Sequence, residues 1–150
     1  MPKAKKSSRH EKGYRTNMAS EFHVLSLLHR MGYDASLTLG NKKAVDIVVF
    51  RERSYPATID VKGVADRMDW LLGNCSMDAI PNHFVVLVGY EETISDPRTL
   101  PRIWVFPHEV LLPMIRISSN EKTKYVSRKQ VIAQGGAYEG AWQLLSRTDQ

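Results

Sequence analysis

The sequence contains very little cysteine: Cys75 is the only one among its 150 residues. A lone cysteine excludes an intrachain disulfide and any zinc site built on several thiolates. Such scarcity is typical of proteins that work in a reducing compartment. We therefore expect a cytoplasmic protein whose stability comes from an apolar core rather than from cross-links.

Long hydrophobic runs, internal repeats and zinc motifs are also missing. No stretch approaches the roughly 18 apolar residues of a membrane span, so we expect no membrane partner. The basic start is not followed by the apolar segment that a secretory signal requires. The five histidines, at positions 10, 23, 29, 83 and 108, include no pair spaced four apart on one helical face, which argues against a zinc site.

Positive charge is concentrated at the N-terminus. The net charge of the chain is +5, and residues 1–12 hold five basic residues against one acid, a net of +4. We expect residues 1–12 to form a flexible basic arm and residues 13–150 to form a single domain, because this length suits one core. The arm suits a polyanion such as DNA, or it is a solvated terminus, and its composition favours neither.

Hydrophobic periodicity and turn residues predict an alternation of helices and strands. The expected elements are a helix at 17–31, strands at 33–39, 45–50 and 57–62, a loop with a short helix at 63–80, strands at 83–90 and 102–106, a helix from 108 that Pro113 kinks, a capping box at 127–130, and an amphipathic helix at 137–146. This order predicts an α/β fold, in which a mixed β-sheet with a meander hairpin and a parallel strand is flanked by helices.

Charged residues stand at the ends of two apolar strands that a short turn connects. Asp46 opens the strand at 45–50, whereas Asp60 and Lys62 close the strand at 57–62. Consecutive strands joined in this way pair antiparallel, so the start of the first lies beside the end of the second. Asp60 and Lys62 share one face because side chains alternate along a strand. The hairpin therefore predicts that three charges meet at one edge of the sheet.

The first helix places a glutamate where an apolar residue is expected. At 100° per residue, Glu21 falls between Val24, Leu25 and Leu28, in the middle of the stripe that should pack on the sheet. A carboxylate on a buried face is costly unless it is paired or bound to a cation. Glu21 is therefore expected to point at the charges of the hairpin.

Each of these residues also has a structural explanation. Asp46 is able to cap the preceding turn, and Glu21 is able to form a salt bridge with Lys62 that serves the fold alone. The functional interpretation is favoured because three carboxylates and a lysine converge from three elements. Clusters rich in carboxylate oxygens suit hard cations such as Mg²⁺.

The arrangement resembles that of the PD-(D/E)xK nuclease superfamily, with its restriction-endonuclease-like fold. The resemblance rests on Glu21 in an early helix, "VD" at 45–46 and "DVK" at 60–62, and it covers residues 17–90. Two positions depart from the common pattern. Val45 stands where proline is usual, and Asp60 replaces the commoner glutamate, which shortens its reach by one methylene.

The resemblance implies a Mg²⁺-dependent endonuclease that hydrolyses DNA phosphodiesters, with Mn²⁺ able to substitute. Glu21, Asp46, Asp60 and the main-chain carbonyl of Val61 would hold the metal. Lys62 would orient the attacking water or stabilise developing charge. Site-specific enzymes of homing or restriction type and structure-specific junction resolvases all fit this pattern. Because one domain supplies one site and duplex cleavage needs two, a homodimer or higher homo-oligomer is expected.

Two basic clusters are candidate contacts to the DNA backbone, with solvated surface residues as the alternative. They comprise Lys42, Lys43, Arg51 and Arg53 around the hairpin, and Lys122, Lys124, Arg128 and Lys129 nearer the C-terminus. Two rival interpretations stay open from the sequence. One is a catalytically inactive nucleic-acid-binding or assembly protein on the same fold. The other is a structural cluster of ion pairs unrelated to nucleic acid.

Overall fold

The computed structural model describes residues 8–38 and 45–146. Its helices and strands are α1 (Arg9–Arg30), β1 (Asp34–Leu37), β2 (Ile47–Phe50), β3 (Ala57–Val64), β4 (Trp70–Leu71), β5 (His83–Gly89), β6 (Arg102–Pro107), α2 (His108–Leu111), β7 (Ile115–Ile117), β8 (Lys124–Val126) and α3 (Arg128–Gln134). Among these residues, no helix is long and apolar enough to cross a bilayer.

Two sheets organise these elements. The larger has five strands in the order β1-β2-β3-β5-β6, and the smaller has three in the order β4-β8-β7. The pair β3–β5 is parallel, whereas the other pairs are antiparallel. The mixed sheet, its meander hairpin and its parallel strand confirm the fold class predicted from the sequence.

A core lies on each face of the larger sheet. On one face, Val24 and Leu28 of α1 pack against Ile59 and Val61 of β3. On the other face, the smaller sheet and α2 enclose a second cluster that includes Trp70 and Trp104. Alternate residues of β3 therefore face different cores, and this places the side chains of Asp60 and Lys62 on the face opposite α1.

The first helix is longer than predicted. It begins at Arg9 rather than near residue 17, because Ser8 and Glu11 form a reciprocal capping box. Residues 9–12 of the predicted flexible arm are thus helical, and residues 1–7 lie outside the described part of the chain. Ser127 caps α3 at the predicted capping box, where its hydroxyl accepts a hydrogen bond from the Gln130 N–H.

Three predictions for residues 63–146 differ in part from the structure. Residues 63–80 hold the end of β3 and the short strand β4 instead of a short helix. The helix from 108 stops at Leu111 and continues as a 3-10 turn that contains Pro113. The amphipathic helix predicted at 137–146 is instead two separate 3-10 turns, interrupted where Gly140 adopts φ +63°. The strands β7 and β8 carry too few residues to show periodicity.

Helix α1 approaches β3 most closely at Gly63. A Cβ built on Gly63 would overlap Ser20 Oγ and would lie 2.9 Å from Ser20 Cβ. The buried stripe of α1 accordingly contains the small residues Thr16 and Ser20 ahead of Val24 and Leu28. The Ser20 hydroxyl donates to the Thr16 carbonyl at 2.6 Å, so it stays satisfied inside the core. Gly63 therefore fixes the height of α1 above the sheet.

We expect Gly63→Ala to lower the free energy of unfolding by about 1–3 kcal/mol, because the added methyl overpacks the α1–β3 contact. Gly13→Ala is the matched control, since nothing lies within 4 Å of a Cβ at that helical glycine. That control should stabilise the protein by up to about 1 kcal/mol. Urea denaturation measures both variants, and equal stabilities would contradict the close approach.

Candidate active site

Asp46 lies just before the start of β2, beside the part of β3 that β2 does not cover. Its main-chain N–H donates to the Ile59 carbonyl at 2.8 Å, although the register pairs Ile59 with Ile47, so the pairing shifts by one residue at Asp46. One Asp46 carboxylate oxygen, Oδ2, accepts a hydrogen bond from the Val61 N–H at 2.7 Å. The Val61 carbonyl faces the same side, because the N–H and C=O groups of one strand residue point to the same neighbour. The Asp46 carboxylate thus occupies the place of a missing strand partner.

Asp60 and Lys62 lie on the face of β3 that turns away from α1. Asp60 is only 3% exposed, and its Oδ1 lies 3.2 Å from Lys62 Nζ. The pKa of Asp60 is raised to about 7, chiefly by burial; the Lys62 ammonium opposes this rise and the nearby Asp46 adds to it. The hairpin therefore brings Asp46, Asp60 and Lys62 together as the sequence indicated.

Glu21 reaches the same place from the α1 side. Its pKa is raised to about 7 by burial and by the charge and hydrogen-bonding contact of Asp46, while Lys62 acts in the opposite direction. The centre of the buried α1 stripe, however, holds Ser20 and Val24, whereas Glu21 is only partly buried. The predicted position at the middle of the apolar face is thus wrong, because the close approach at Gly63 requires a small residue there. Glu21 flanks the core beside Asp46.

Asp46 is consequently the common neighbour of two carboxyl groups that lie on opposite faces of the sheet. Both neighbours have a pKa raised to about 7, chiefly by burial, with Asp46 adding to the rise and the Lys62 ammonium opposing it. Oxygen donors of this kind suit Mg²⁺ or Mn²⁺. Within residues 8–38 and 45–146, though, no three His, Cys, Asp or Glu side chains form a ready-made metal-ligand group. The carboxyls meet as two pairs that share Asp46.

A turn that sequence reasoning missed borders the Lys62 ammonium. A Cβ built on Gly73 would lie 3.9 Å from Lys62 Nζ, and Gly73 has φ +56°. The turn is held by Lys124, whose ammonium donates to the Cys75 carbonyl at 2.7 Å. The glycine-asparagine pair at 73–74 marks a turn in the sequence, but no local pattern connects it to Lys124.

The structure separates the candidate DNA contacts into two groups. Arg51 donates to the Leu145 carbonyl and to Asn82, Lys124 to Cys75, and Arg128 to Glu91, so these three side chains bind within the protein. The side chains of Arg53, Lys122 and Lys129 are exposed. Lys42 and Lys43 lie outside the described residues.

A further basic residue, which sequence reasoning also missed, stands beside Lys129. Arg67 and Lys129 line an open groove between the loop after β3 and the helix α3, together with Asp69 and Ile132. Neither of the two cations has an ion-pair partner in the part of the chain that the structure describes. The Asp69 carboxylate is engaged by the Arg128 N–H at 2.8 Å. The groove is therefore positively charged.

Two solved nuclease structures share this architecture, and it agrees at the level of the fold with the resemblance seen in the sequence. The chain is similar to the Holliday junction resolvase Hjc of the archaeal hyperthermophile Archaeoglobus fulgidus, with 18% identity and a TM-score of 0.52 over 89% of this chain and 98% of that one. It is also similar to the bacterial homing endonuclease I-Ssp6803I, with 16% identity and a TM-score of 0.53 over 88% of this chain and 91% of that one. No protein-family model and no curated protein sequence matches the chain.

We expect the metal-free protein to lose stability as the pH rises from about 5 to about 8. The pKa values of Glu21 and Asp60 are raised to about 7, above unfolded values of roughly 4, so the folded state binds more protons in between. Ionising either carboxyl group in the folded protein therefore lowers the free energy of unfolding. The melting temperature of the wild type should fall across this range.

Asp60→Asn should flatten that profile and melt above the wild type at the alkaline end, because a neutral amide carries no ionisation cost. Asp34→Asn is the control, since Asp34 is exposed at the start of β1. A steeper loss of stability in Asp60→Asn than in the wild type would contradict the buried-carboxylate explanation.

Proposed function

We propose that this protein is a Mg²⁺-dependent endonuclease that hydrolyses phosphodiester bonds in DNA, either at a specific sequence or at a specific DNA structure. The observation that carries the proposal is the meeting of Glu21, Asp46 and Asp60 around the end of β2, with Lys62 at 3.2 Å from Asp60. The structural neighbours support it, since one is a junction resolvase and the other a homing endonuclease. Fold likeness alone would not identify an activity.

In this proposal Asp46, Asp60 and the Val61 carbonyl would hold the Mg²⁺ ion, and Glu21 would complete the set or hold a second ion. The metal, when bound, supplies a Lewis acid and lowers the pKa of its water. The protein contributes fixed positions: the Val61 N–H holds the Asp46 carboxylate, and burial in the sheet holds Asp60. Rigid strands suit this role, because in-line displacement depends on positioning.

Lys62 provides the positive charge of the site. Its ammonium is half-buried and sits between the Asp60 carboxylate and the turn at Gly73. A cation placed there is suited to orient the attacking water or to stabilise the negative charge that develops on the phosphate. Lys62 therefore acts on the substrate, whereas Asp60 limits where its side chain can move.

We further propose that the exposed cations contact the DNA backbone and that the protein acts as a homodimer or higher homo-oligomer, which brings two sites to one duplex. The exposed set comprises Arg53, Lys122 and Lys129 from the sequence and Arg67 from the structure. The alternative function is an inactive nucleic-acid-binding or assembly protein on this fold. A complete set of three acids and a lysine favours the enzyme.

The wild type should nick supercoiled plasmid or cut a synthetic four-way junction in Mg²⁺ and should lose this activity in EDTA. Asp60→Ala and Lys62→Ala should each reduce the rate by about a hundredfold or more, since each removes charge at the reacting phosphate. Asp34→Ala and Arg116→Ala, at exposed positions, are the matched controls and should cleave normally. DNA binding without cleavage of either substrate would favour the inactive alternative.

The double variant Arg67→Ala/Lys129→Ala should bind DNA more weakly and with a shallower dependence on salt. Each phosphate contact contributes about one unit to the slope of log K against log salt, so the slope should decrease by about two. Arg116→Ala is the control, because Arg116 is exposed on β7 at the far edge of the smaller sheet. Fluorescence anisotropy in EDTA measures all three proteins, and an unchanged slope in the double variant would exclude the groove.

A further inference from the structure

Lys124 belongs to the smaller sheet, where it pairs with Ile117, and it also contacts the turn beside Lys62. Its carbonyl accepts a hydrogen bond from the Leu72 N–H at 2.9 Å, and its ammonium donates to the Cys75 carbonyl at 2.7 Å. These two bonds tie both ends of the segment 72–75 to Lys124. The segment is further tightened by the bond from the Cys75 N–H to the Leu72 carbonyl at 3.1 Å.

The closed turn lies directly against the proposed active site. The space where Gly73 would carry a Cβ is 3.9 Å from Lys62 Nζ, and no other atom outside its chain neighbours comes within 4 Å. Cys75, in the same turn, lies within the electrostatic reach of Asp60, Lys62 and Lys124. On one side of its ammonium, Lys62 is thus bounded by Asp60, and on another by this turn.

We propose that Lys124 is a positioning residue, which holds the 72–75 turn closed against Lys62 and so confines the Lys62 ammonium to its place beside Asp60. The proposal rests on the proposed function, since it assigns Lys124 a role in the same site. It also replaces the earlier assignment of Lys124 as a contact to DNA phosphate. The ammonium donates to the Cys75 carbonyl and the residue is only partly exposed, which favours a role within the protein.

The single cysteine of the chain reports on the turn without any need for substrate. Cys75 is 3% exposed, so a thiol reagent reaches it only when the turn opens. Lys124→Met removes the ammonium and keeps the length of the side chain. The main-chain bond from Leu72 to Lys124 is retained in this variant, so the pairing of β4 with β8 is preserved.

We expect Lys124→Met to increase the rate of Cys75 labelling about tenfold under native conditions, which is the effect of losing one hydrogen bond from a charged donor. Lys124→Arg keeps a donor and should label nearly as slowly as the wild type. Lys122→Met, an exposed lysine two residues away, is the matched control and should not change the rate. Equal labelling rates in Lys124→Met and the wild type would overturn the proposal.

Kinetics then test the effect on Lys62. Lys124→Met should lower kcat for plasmid cleavage by tenfold to a hundredfold while the Kd for DNA in EDTA stays near wild type, because only the placement of a reacting group has changed. Faster labelling with an unchanged kcat would overturn the positioning role. Weaker DNA binding with a shallower salt dependence would show a phosphate contact instead and would also overturn it.

The two readouts separate this proposal from the proposed function. If the wild type cleaves no DNA, the proposed function fails and the positioning role fails with it, whatever the labelling shows. If the wild type cleaves DNA and Lys124→Met labels and cleaves like the wild type, only the role of Lys124 fails.

Discussion

The hydrogen bond from the Val61 N–H to the Asp46 carboxylate is the constraint on which the rest of the candidate site depends. Strand β2 pairs with β3 only as far as Ile59, so without Asp46 the Val61 N–H would be buried and unpaired. The carboxylate satisfies that donor and is thereby fixed in the plane of the sheet. From there it contacts Glu21 on one face and Asp60 on the other. The Asp46 side chain thus completes the hydrogen bonding of β3 and also lies at the centre of the site.

Much of the site could be predicted because most of the residues that form it lie on or beside two strands that are consecutive in the sequence. An antiparallel hairpin with a short turn brings Asp46 beside Asp60 and Lys62 by geometry alone, and the structure shows these contacts. The placement of Glu21 was only partly predictable. A helical projection ranks residues by hydrophobicity, but the face of α1 that meets β3 is selected by the space at Gly63, which favours Ser20. Steric fit between distant segments leaves no periodic trace in a sequence.

The second half of the chain was harder to predict, since its elements are short and depend on distant partners. Strands β4, β7 and β8 have two or three residues each, too few for alternation to be visible. Their positions are set by pairing, as when Trp70 meets Val126. The bond between Lys124 and Cys75 joins residues far apart in the chain, so the role of that lysine in holding a turn had no local signal. The positive charge of Lys124, within a basic cluster of the sequence, had instead suggested a contact to DNA phosphate.

Strand β3 also determines how the molecule can open. Its first three residues pair with β2 on one side, and its residues from Thr58 to Val64 pair with β5 on the other. Amide hydrogens at Asp60 and Lys62 can therefore exchange with solvent only when a central ladder of the protein separates, whereas the smaller sheet can fray independently. Asp60 and Val61, which would bind metal, lie in this central ladder, whereas Lys124, which holds the neighbouring turn, lies in the smaller sheet. Variation in the smaller sheet can thus change the surroundings of Lys62 while the strand that carries Asp60 stays in place.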